Sequence, residues 1–326
     1  MTPAQAQTVE EFYRGKTVNI IVGGSPGGGF DTLARVIARH IGNHIPGRPT
    51  LVARNMPGAG GTQALDYMFN SAEKDGSVLG LVNNTPPFVP LFGGSAARYD
   101  ATKFSWLGTP SVESPVVLMW HSAPIDTVDD LRRRETTVGA SGAASAQATY
   151  ARLINATLGT KMKIVSGYKG QTEIFIAMER GEIDGYPSVF YSSLTSTRPT
   201  WLPEKLAKVV LQYGPEPLKE LPGVPWALDL VSGAADKQFF RAATAANALG
   251  RPLLMPPGVP ADRLAAMRKA LRDTFADPAF IAAADKTGLL VNAPRGGEEL
   301  EAVVRDTYAM PEAVLKRVRE IEKGEN

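Results

Sequence analysis

The sequence contains no cysteine and only three histidines among its 326 residues. Without cysteine the chain has no disulfide, no thiolate nucleophile, no cysteine-ligated zinc and no lipid-anchored cysteine. This absence leaves the compartment open, because a cysteine-free chain tolerates an oxidising as well as a reducing one. No apolar run approaches the roughly 20 residues that a membrane-spanning helix needs.

An excess of charge is also missing. The 35 Lys and Arg residues nearly balance the 33 Asp and Glu residues, and the longest basic run is Arg132–Arg134. This balance gives no case for nucleic acid as a partner. The length and the 44% hydrophobic content are those of a globular protein large enough for two domains. The segment Met1–Gln7 lacks the basic and apolar pattern of a signal peptide, which leaves a cytoplasmic protein or a mature form whose signal has been replaced.

Glycine, in contrast, is concentrated in one informative stretch, Gly23–Asp31. It follows the apolar run Thr17–Val22 and precedes a helical pattern that begins at Thr32, so it connects a strand to a helix. Glycines allow a ligand to approach the backbone closely, and the first amides of a helix have no partner within the helix. Together with the helix dipole, these amides predict an anion-binding site at the first strand-to-helix turn.

Strand-like and helix-like segments alternate along most of the chain. The predicted strands are 17–22, 50–53, 77–82, 116–120, 136–140, 161–165, 208–213 and 252–255. The predicted helices are 32–43, 61–70, 146–158, 172–180, 260–275, 278–286 and 298–309. This alternation predicts an α/β fold with mainly parallel strands, in which ligands lie beyond the carboxyl ends of the strands.

Three further turns resemble the first one in position and composition. The segments Ser141–Ser145 and Ser166–Thr172 each connect a predicted strand to a helix, and Asn83–Pro87 follows another strand. We expect these turns to share one polar cleft, although small residues at such positions also serve simply to make the turn.

Ser25 offers an alternative reading, because Gly23–Gly27 matches the G-x-S-x-G nucleophile elbow of α/β hydrolases. That fold needs a histidine late in the chain, whereas His40, His44 and His121 all lie in the first part. Ser25 is therefore interpreted as a ligand-facing hydroxyl or a turn residue. The stretch also lacks the Gly-Lys-Ser/Thr of a phosphate loop.

Two other pairs of residues carry weaker alternatives. His40 and His44 have the spacing of a metal pair on a helix, but no third ligand is apparent, so no metal is predicted. Asp31 and Asp184 could act as paired catalytic carboxylates, but each is better explained as an acceptor for the amides of its own turn. No cofactor is predicted.

The order and spacing of several motifs resemble the Bug-type solute-binding proteins of tripartite tricarboxylate transporters. The similarity extends from about Phe12 to Thr307. The segments that carry it are Val22–Asp31 with Ala34–Arg35, Asn55–Gly61, Lys74–Gly76, Gly167–Gly170, Ala177–Asp184, Leu221–Pro225, Pro256–Pro260 and Phe275–Phe280.

The resemblance implies a two-lobed periplasmic-binding-protein (Venus flytrap) fold that closes on its ligand by a hinge motion. Residues 1–113 and 235–326 would form the first domain, and residues 114–234 the second. The protein would be a periplasmic monomer without catalytic activity, from which a presumed signal peptide has been removed. It would capture a small organic carboxylate and pass it to the membrane subunits of the transporter. A rival reading, the effector-sensing part of a transcription regulator, lacks a helix-turn-helix segment before Thr17.

The turns of both lobes supply the predicted ligand contacts. They are Ser25, Gly27, Gly28, Gly29, Phe30, Asp31, Asn83, Asn84, Thr85, Ser141, Ala143, Ala144, Ser145, Tyr168, Gly170, Gln171, Thr172, Tyr186 and Ser188. Ala143 and Ala144 stand where the family usually has hydroxyls. Aromatic residues lie in or beside these turns, and two or more of them in the cleft would favour an aromatic or extended carboxylate over citrate. They are Phe30, Phe88, Tyr168, Tyr186 and Phe190.

Overall fold

The computed structural model describes residues 7–92, 97–289 and 291–323, and its strands form two sheets. The strands are β1 (Thr17–Val22), β2 (Thr50–Asn55), β3 (Val78–Leu81), β4 (Ser105–Thr109), β5 (Pro115–Trp120), β6 (Thr136–Ala140), β7 (Met162–Ser166), β8 (Gly185–Phe190), β9 (Ala207–Gln212), β10 (Leu253–Met255) and β11 (Arg295–Gly296).

The helices lie between these strands and after them. They are α1 (Val9–Tyr13), α2 (Gly29–His40), α3 (Thr62–Asn70), α4 (Val128–Arg133), α5 (Ala146–Leu158), α6 (Gln171–Glu179), α7 (Tyr191–Thr197), α8 (Ala227–Leu230), α9 (Ala234–Ala243), α10 (Ala261–Ala276), α11 (Pro278–Asp285), α12 (Gly297–Tyr308) and α13 (Glu312–Lys323).

The two sheets define two lobes. The first sheet has the strand order β11-β4-β10-β3-β1-β2, and the second has the order β7-β6-β8-β5-β9. We call each sheet with the helices packed on it the first and the second lobe. Apolar side chains cover both faces of each sheet, in two clusters per lobe. The fold is therefore the predicted α/β architecture with two lobes.

Both sheets are mixed, with more antiparallel pairing than the sequence predicts. The early strands pair in parallel, β1 with β2 and β3, and β6 with β7 and β8. The chain crosses to the second sheet between β4 and β5 and returns between β9 and β10. Each strand that follows a crossing, β5 and β10, runs antiparallel to its neighbours on both sides. The crossings thus reverse the direction of the chain.

The predicted boundaries agree with the structure where the apolar pattern is clear. β1, β6 and α5 have the predicted bounds, whereas α2 begins at Gly29, three residues before the predicted Thr32. The prediction omitted β4, β8, α7, α9 and α13, among others. Pro187 lies inside β8, where a proline argues against a central strand, and this explains why that strand was missed.

Two helices from the range assigned to the first domain contact the second lobe. Phe239 and Phe240 of α9, and Val318 and Ile321 of α13, cluster with side chains of the second sheet. The domain boundaries stay a prediction. Within the described ranges, no helix has the length and apolarity to cross a membrane.

Candidate functional site

A cavity of about 60 Å³ lies between the lobes, where the glycine-rich turns meet. Its walls come from the first lobe, through the turns after β1 and β3 and the segment before α3. They also come from the second lobe, through the turns before α5 and α6 and through β8 and α7. The carboxyl ends of strands in both sheets therefore point at one shared cavity, as the sequence predicts for a shared cleft.

The first wall is the start of α2. Gly28 is the N-cap residue, and both it and Gly29 line the cavity. Asp31 holds this turn by accepting hydrogen bonds from the Gly27 amide at 2.9 Å and from Arg35 Nε at 3.0 Å. Burial would raise the pKa of Asp31, but the hydrogen bonds outweigh burial and keep this pKa below its ordinary value. Asp31 therefore shapes the turn as an anion and does not line the cavity.

The second wall faces the first one across the cleft and is the start of α6. Gly170 and Gln171 line the cavity opposite Gly28. Thr172 Oγ1 donates to the Pro26 carbonyl of the other lobe at 3.0 Å, and Ser25 Oγ lies 3.5 Å from Thr172 Oγ1. The two lobes touch here, so the structure is a closed one.

The third wall is the start of α5. Gln147 lines the cavity, donates through Nε2 to the Tyr186 hydroxyl at 2.8 Å and accepts from Ser141 Oγ at 3.2 Å. Burial raises the pKa of Tyr186, which keeps this phenol neutral. On the facing side, Asn83 Oδ1 is buried without a hydrogen-bond partner among the described residues. An unpaired buried amide oxygen is a position where a ligand or water can donate a hydrogen bond.

Three of the five aromatic residues named from the sequence line the cavity. The rings of Phe30 and Phe190 lie 6.0 Å apart, and Tyr186 is the third. Phe88 is buried in the first lobe, and Tyr168 packs against the core of the second. The cavity therefore has an apolar surface beside its polar turns.

The structure brings together eleven of the predicted contacts around the cavity. They are Ser25, Gly28, Gly29, Phe30, Asn83, Asn84, Ser141, Gly170, Gln171, Tyr186 and Ser188. No wall of this cavity includes the other predicted residues that the structure describes. They are Gly27, Asp31, Thr85, Ala143, Ala144, Ser145, Tyr168 and Thr172.

Local structure explains several of these positions outside the cavity. Ser145 is fully buried as the N-cap of α5, where its hydroxyl accepts from the Ala148 amide and donates to the Gly142 carbonyl. Ala143 and Ala144 line a separate depression with Arg152 and Glu322. These residues shape the turns, and the assignment of ligand contacts stays a prediction.

The cavity also includes residues that were not among the predicted contacts. They are Gly23, Gly24, Gly58, Gly61, Ala146, Gln147, Lys169, Val189, Phe190 and Ser193. Gly58, Gly61 and Lys169 belong to motifs that carry the resemblance, so a signal for them was present. Ser193 lies on α7, a helix that the sequence pattern did not reveal, and nothing in its local sequence marks it as a cavity residue.

The three histidines of the chain lie away from the cavity. His44 Nε2 pairs with Asp277 Oδ2 at 3.1 Å, His40 packs against Phe280, and His121 lies beside Trp120. None of the three lines the cavity, so Ser25 has no imidazole base there. The part of the chain that the structure describes contains no group of three potential metal-ligating His, Asp or Glu side chains.

Solved structures share this fold along nearly the whole chain. The periplasmic binding protein BugD is 18% identical with a TM-score of 0.71, and the alignment covers 95% of this chain and 98% of that one. MatC from Rhodopseudomonas palustris with bound malate is 19% identical with a TM-score of 0.71 over 94% and 99% of the two chains. The R. palustris protein Rpa4515 with adipate is 17% identical with a TM-score of 0.69 over 93% and 97%. No family model matches the sequence, and no curated protein matches it.

Proposed function

We propose that this protein is a periplasmic solute-binding protein that captures a small organic carboxylate between its two lobes. The observation that carries the proposal is the convergence of three helix N-termini from both lobes on one cavity. Gly29 begins α2, Ala146 begins α5 and Gln171 begins α6, and all three residues line that cavity. The first amides of each helix are free of intrahelical partners and carry the positive end of the helix dipole.

Backbone amides are sufficient to hold a carboxylate in this cavity. Hydrogen bonds from amides to an ionised oxygen are short and about twice as strong as those between neutral groups. Lys169 is the basic side chain in the cavity wall, and three-quarters of its side chain is exposed to solvent. A carboxylate that bound amides of both lobes at once would favour the closed arrangement, because it would contact both walls only in that state.

The shared fold and the sequence motifs support a role in transport rather than catalysis. BugD is a periplasmic binding protein, and MatC and Rpa4515 hold malate and adipate. In this proposal the protein delivers its ligand to the membrane subunits of a tripartite tricarboxylate-type transporter. The rings of Phe30, Tyr186 and Phe190 in the wall favour an aromatic or extended dicarboxylate.

A thermal-shift screen across carboxylates tests the proposal. The panel contains malate, adipate, benzoate, a longer fatty dicarboxylate and citrate. A ligand that binds only the folded protein raises its stability by mass action, so at least one member should raise the melting temperature. No shift across the whole panel would contradict a carboxylate-binding role. A response to citrate alone would contradict the preference for aromatic or extended ligands.

A matched pair of glycine variants locates the site. The Gly28→Leu substitution places a side chain against Ser25 and Gln171 at the start of α2, and we expect it to abolish the shift. Gly223→Leu is the control, because that glycine is exposed and a Cβ there meets nothing within 4 Å. An unchanged shift in the Gly28 variant would move the binding site elsewhere.

The alternative function is an α/β hydrolase that uses Ser25; the G-x-S-x-G pattern favours it, and the lack of a histidine in the cavity wall opposes it. An esterase assay of the unmodified protein and of Ser25→Ala distinguishes the two. Activity that disappears in the Ser25 variant would support the hydrolase. Absence of activity in both proteins is the result that we expect.

A further inference from the structure

Arg251 is a buried arginine at the junction of the two lobes, with 1% of its surface exposed. Its Nε donates to Glu113 Oε1 at 2.7 Å, so the guanidinium forms a buried ion pair beside the first crossing. Its Nη2 donates to two neighbouring hydroxyls of α7, Ser192 Oγ at 2.8 Å and Ser193 Oγ at 2.7 Å. One cation thus connects the crossing to a helix of the second lobe.

The two serines bound by this guanidinium differ in whether their own hydroxyl protons have an acceptor within the protein. Ser192 Oγ donates to Glu113 Oε2 at 2.7 Å, so its hydroxyl is satisfied inside the network. Ser193 lines the cavity, and no atom of the described chain is positioned to accept its hydroxyl proton. Arginine can only donate hydrogen bonds, so Ser193 Oγ must be the acceptor in its bond with Arg251.

From this geometry we infer that Arg251 is a positioning residue that makes Ser193 a hydrogen-bond donor to the ligand in the cavity. The inference rests on the proposed function and names one further recognition group for it. The guanidinium occupies one of the two lone pairs of Ser193 Oγ, which leaves the O–H to donate to a ligand, and its positive charge opposes a second cation nearby. Ser193 therefore selects an oxygen acceptor, such as a carboxylate, and disfavours a protonated amine at that position.

The surroundings of Arg251 strengthen its hydrogen bond to Ser193. The guanidinium carbon lies 5.1 Å from the ring centroid of Phe30 and 5.4 Å from that of Phe190, two rings that also line the cavity. In such an apolar setting, a chain of hydrogen bonds from an ionised donor strengthens each successive bond. Gly29 packs directly against Arg251 and Ser193, since a Cβ there would lie 2.1 Å from Ser193 Oγ and 2.9 Å from Arg251 Nη1, which has no hydrogen-bond partner among the described residues.

Two alanine variants separate ligand recognition from structure. In Ser193→Ala, we expect calorimetric titration with adipate and with malate to show about ten- to hundred-fold weaker binding. Its ligand-free melting temperature should fall less than that of Ser192→Ala, because Ser193→Ala removes only one acceptor of the buried guanidinium, whereas Ser192→Ala removes an acceptor and also a donor to Glu113. In Ser192→Ala, the ligand-free melting temperature should fall, because Glu113 loses a donor, while the dissociation constants stay within about three-fold.

Variants of Arg251 test whether it acts through Ser193. Arg251→Met combined with Glu113→Leu removes both buried charges and leaves a protein that can fold without an unpaired ion. We expect that double variant to bind adipate and malate as weakly as Ser193→Ala does, and adding Ser193→Ala to it should produce little further loss. Arg251→Lys keeps a cationic donor near Ser193 and should restore part of the affinity.

Three results would overturn the inference. They are unchanged affinity in Ser193→Ala, a ligand-free destabilisation in Ser193→Ala equal to that in Ser192→Ala, or additive losses when Ser193→Ala joins the double variant. If the unmodified protein bound neither adipate nor malate, the proposal that it binds such dicarboxylates would be wrong. The ligand-free melting temperatures of the two serine variants would still decide whether Ser193 is structural.

Discussion

The two lobes meet in two places that are built from different groups. The first, beside the two chain crossings, we call the hinge side, and the second, at the turns around Gly60 and Pro26, we call the cleft mouth. At the hinge side, buried polar side chains join the lobes in two networks. One is the Arg251–Glu113 ion pair with its serines, and in the other Asn247 Oδ1 accepts from Asn84 and from Tyr150 at 3.1 and 3.0 Å. Asn84 belongs to the first lobe and Tyr150 to α5 of the second.

At the cleft mouth, the lobes meet mainly through backbone. A Cβ on Gly60 would lie 2.7 Å from the Ser145 amide nitrogen, and one on Gly142 would lie 3.0 Å from the Gly60 nitrogen. On the α2 side, hydrogen bonds from Thr172 Oγ1 to the Pro26 carbonyl and from Ser25 Oγ to Thr172 Oγ1 cross the cleft. Opening these contacts would break hydrogen bonds between neutral groups, whereas opening the hinge networks would strand a buried ion pair as well as polar groups. The difference indicates a molecule that opens at the mouth and stays joined at the hinge.

The largest effect is expected at the charged hinge network. Arg251→Met leaves Glu113 buried and unpaired, which should lower the free energy of unfolding by about 3–5 kcal/mol. Urea denaturation of the ligand-free protein measures this change. The double variant with Glu113→Leu is the control and should recover most of the loss. A small effect of Arg251→Met alone would show that the ion pair does not hold the hinge.

A smaller effect on stability, with a large effect on closure, is expected at the mouth. Gly60 and Gly159 have nearly the same backbone conformation, with φ of +69° and +70°, but only Gly60 faces the other lobe. Alanine at either site should cost about 1–2 kcal/mol from the left-handed conformation. Only Gly60→Ala should also lose the ligand-induced rise in melting temperature, because its Cβ would separate the lobes. Equal ligand shifts in the two variants would contradict a closing contact at Gly60.

The same contrast explains how far the sequence predicts the molecule. The mouth is formed by turns whose glycines are visible in the local sequence. The segments Gly23–Asp31 and Gly167–Gly170 therefore predict the cleft from sequence alone. The hinge networks join residues far apart in the chain, such as Glu113 with Arg251, and no local pattern encodes that pairing. Ser193 was missed for the same reason, since its position in the cavity depends on how α7 packs against α2.

The fold shows a similar division. Strands with a clear apolar pattern, such as β1 and β6, could be predicted with their bounds, because burial alone determines them. The antiparallel direction of β5 and β10 follows from the two crossings between lobes, which periodicity does not report. β8 was hidden by Pro187, and the short β11 has too few residues to carry any pattern.

The neutral hinge network should contribute less to the free energy of unfolding than the charged one. Tyr150→Phe removes the hydroxyl that donates to Asn247, and we expect a loss of about 1 kcal/mol in the free energy of unfolding. Tyr213→Phe is matched to it, because Tyr213 is equally buried but donates to the Pro187 carbonyl within the second lobe. Both variants should lose similar stability, and neither should change ligand affinity by more than about three-fold, because the Asn247 contact stays formed in the open and the closed molecule. A much lower affinity in Tyr150→Phe alone would show that this contact forms only on closure.

The smallest expected effect concerns Asp31, which holds the first turn of the mouth from inside its own lobe. Hydrogen bonds from Arg35 and Gly27 keep the folded pKa of Asp31 below its ordinary value of 3.8, despite burial. The carboxylate therefore stabilises the fold above the unfolded pKa, and this contribution is lost as the pH falls through the folded pKa. Melting temperatures from neutral pH downward should show a constant gap between the unmodified protein and Asp31→Asn, which narrows only below about pH 4. Asp129→Asn, at an exposed site on α4, is the control. A gap that widened in acid would mean that the folded state binds the proton more tightly than the unfolded chain, which the hydrogen bonds to the carboxylate oppose.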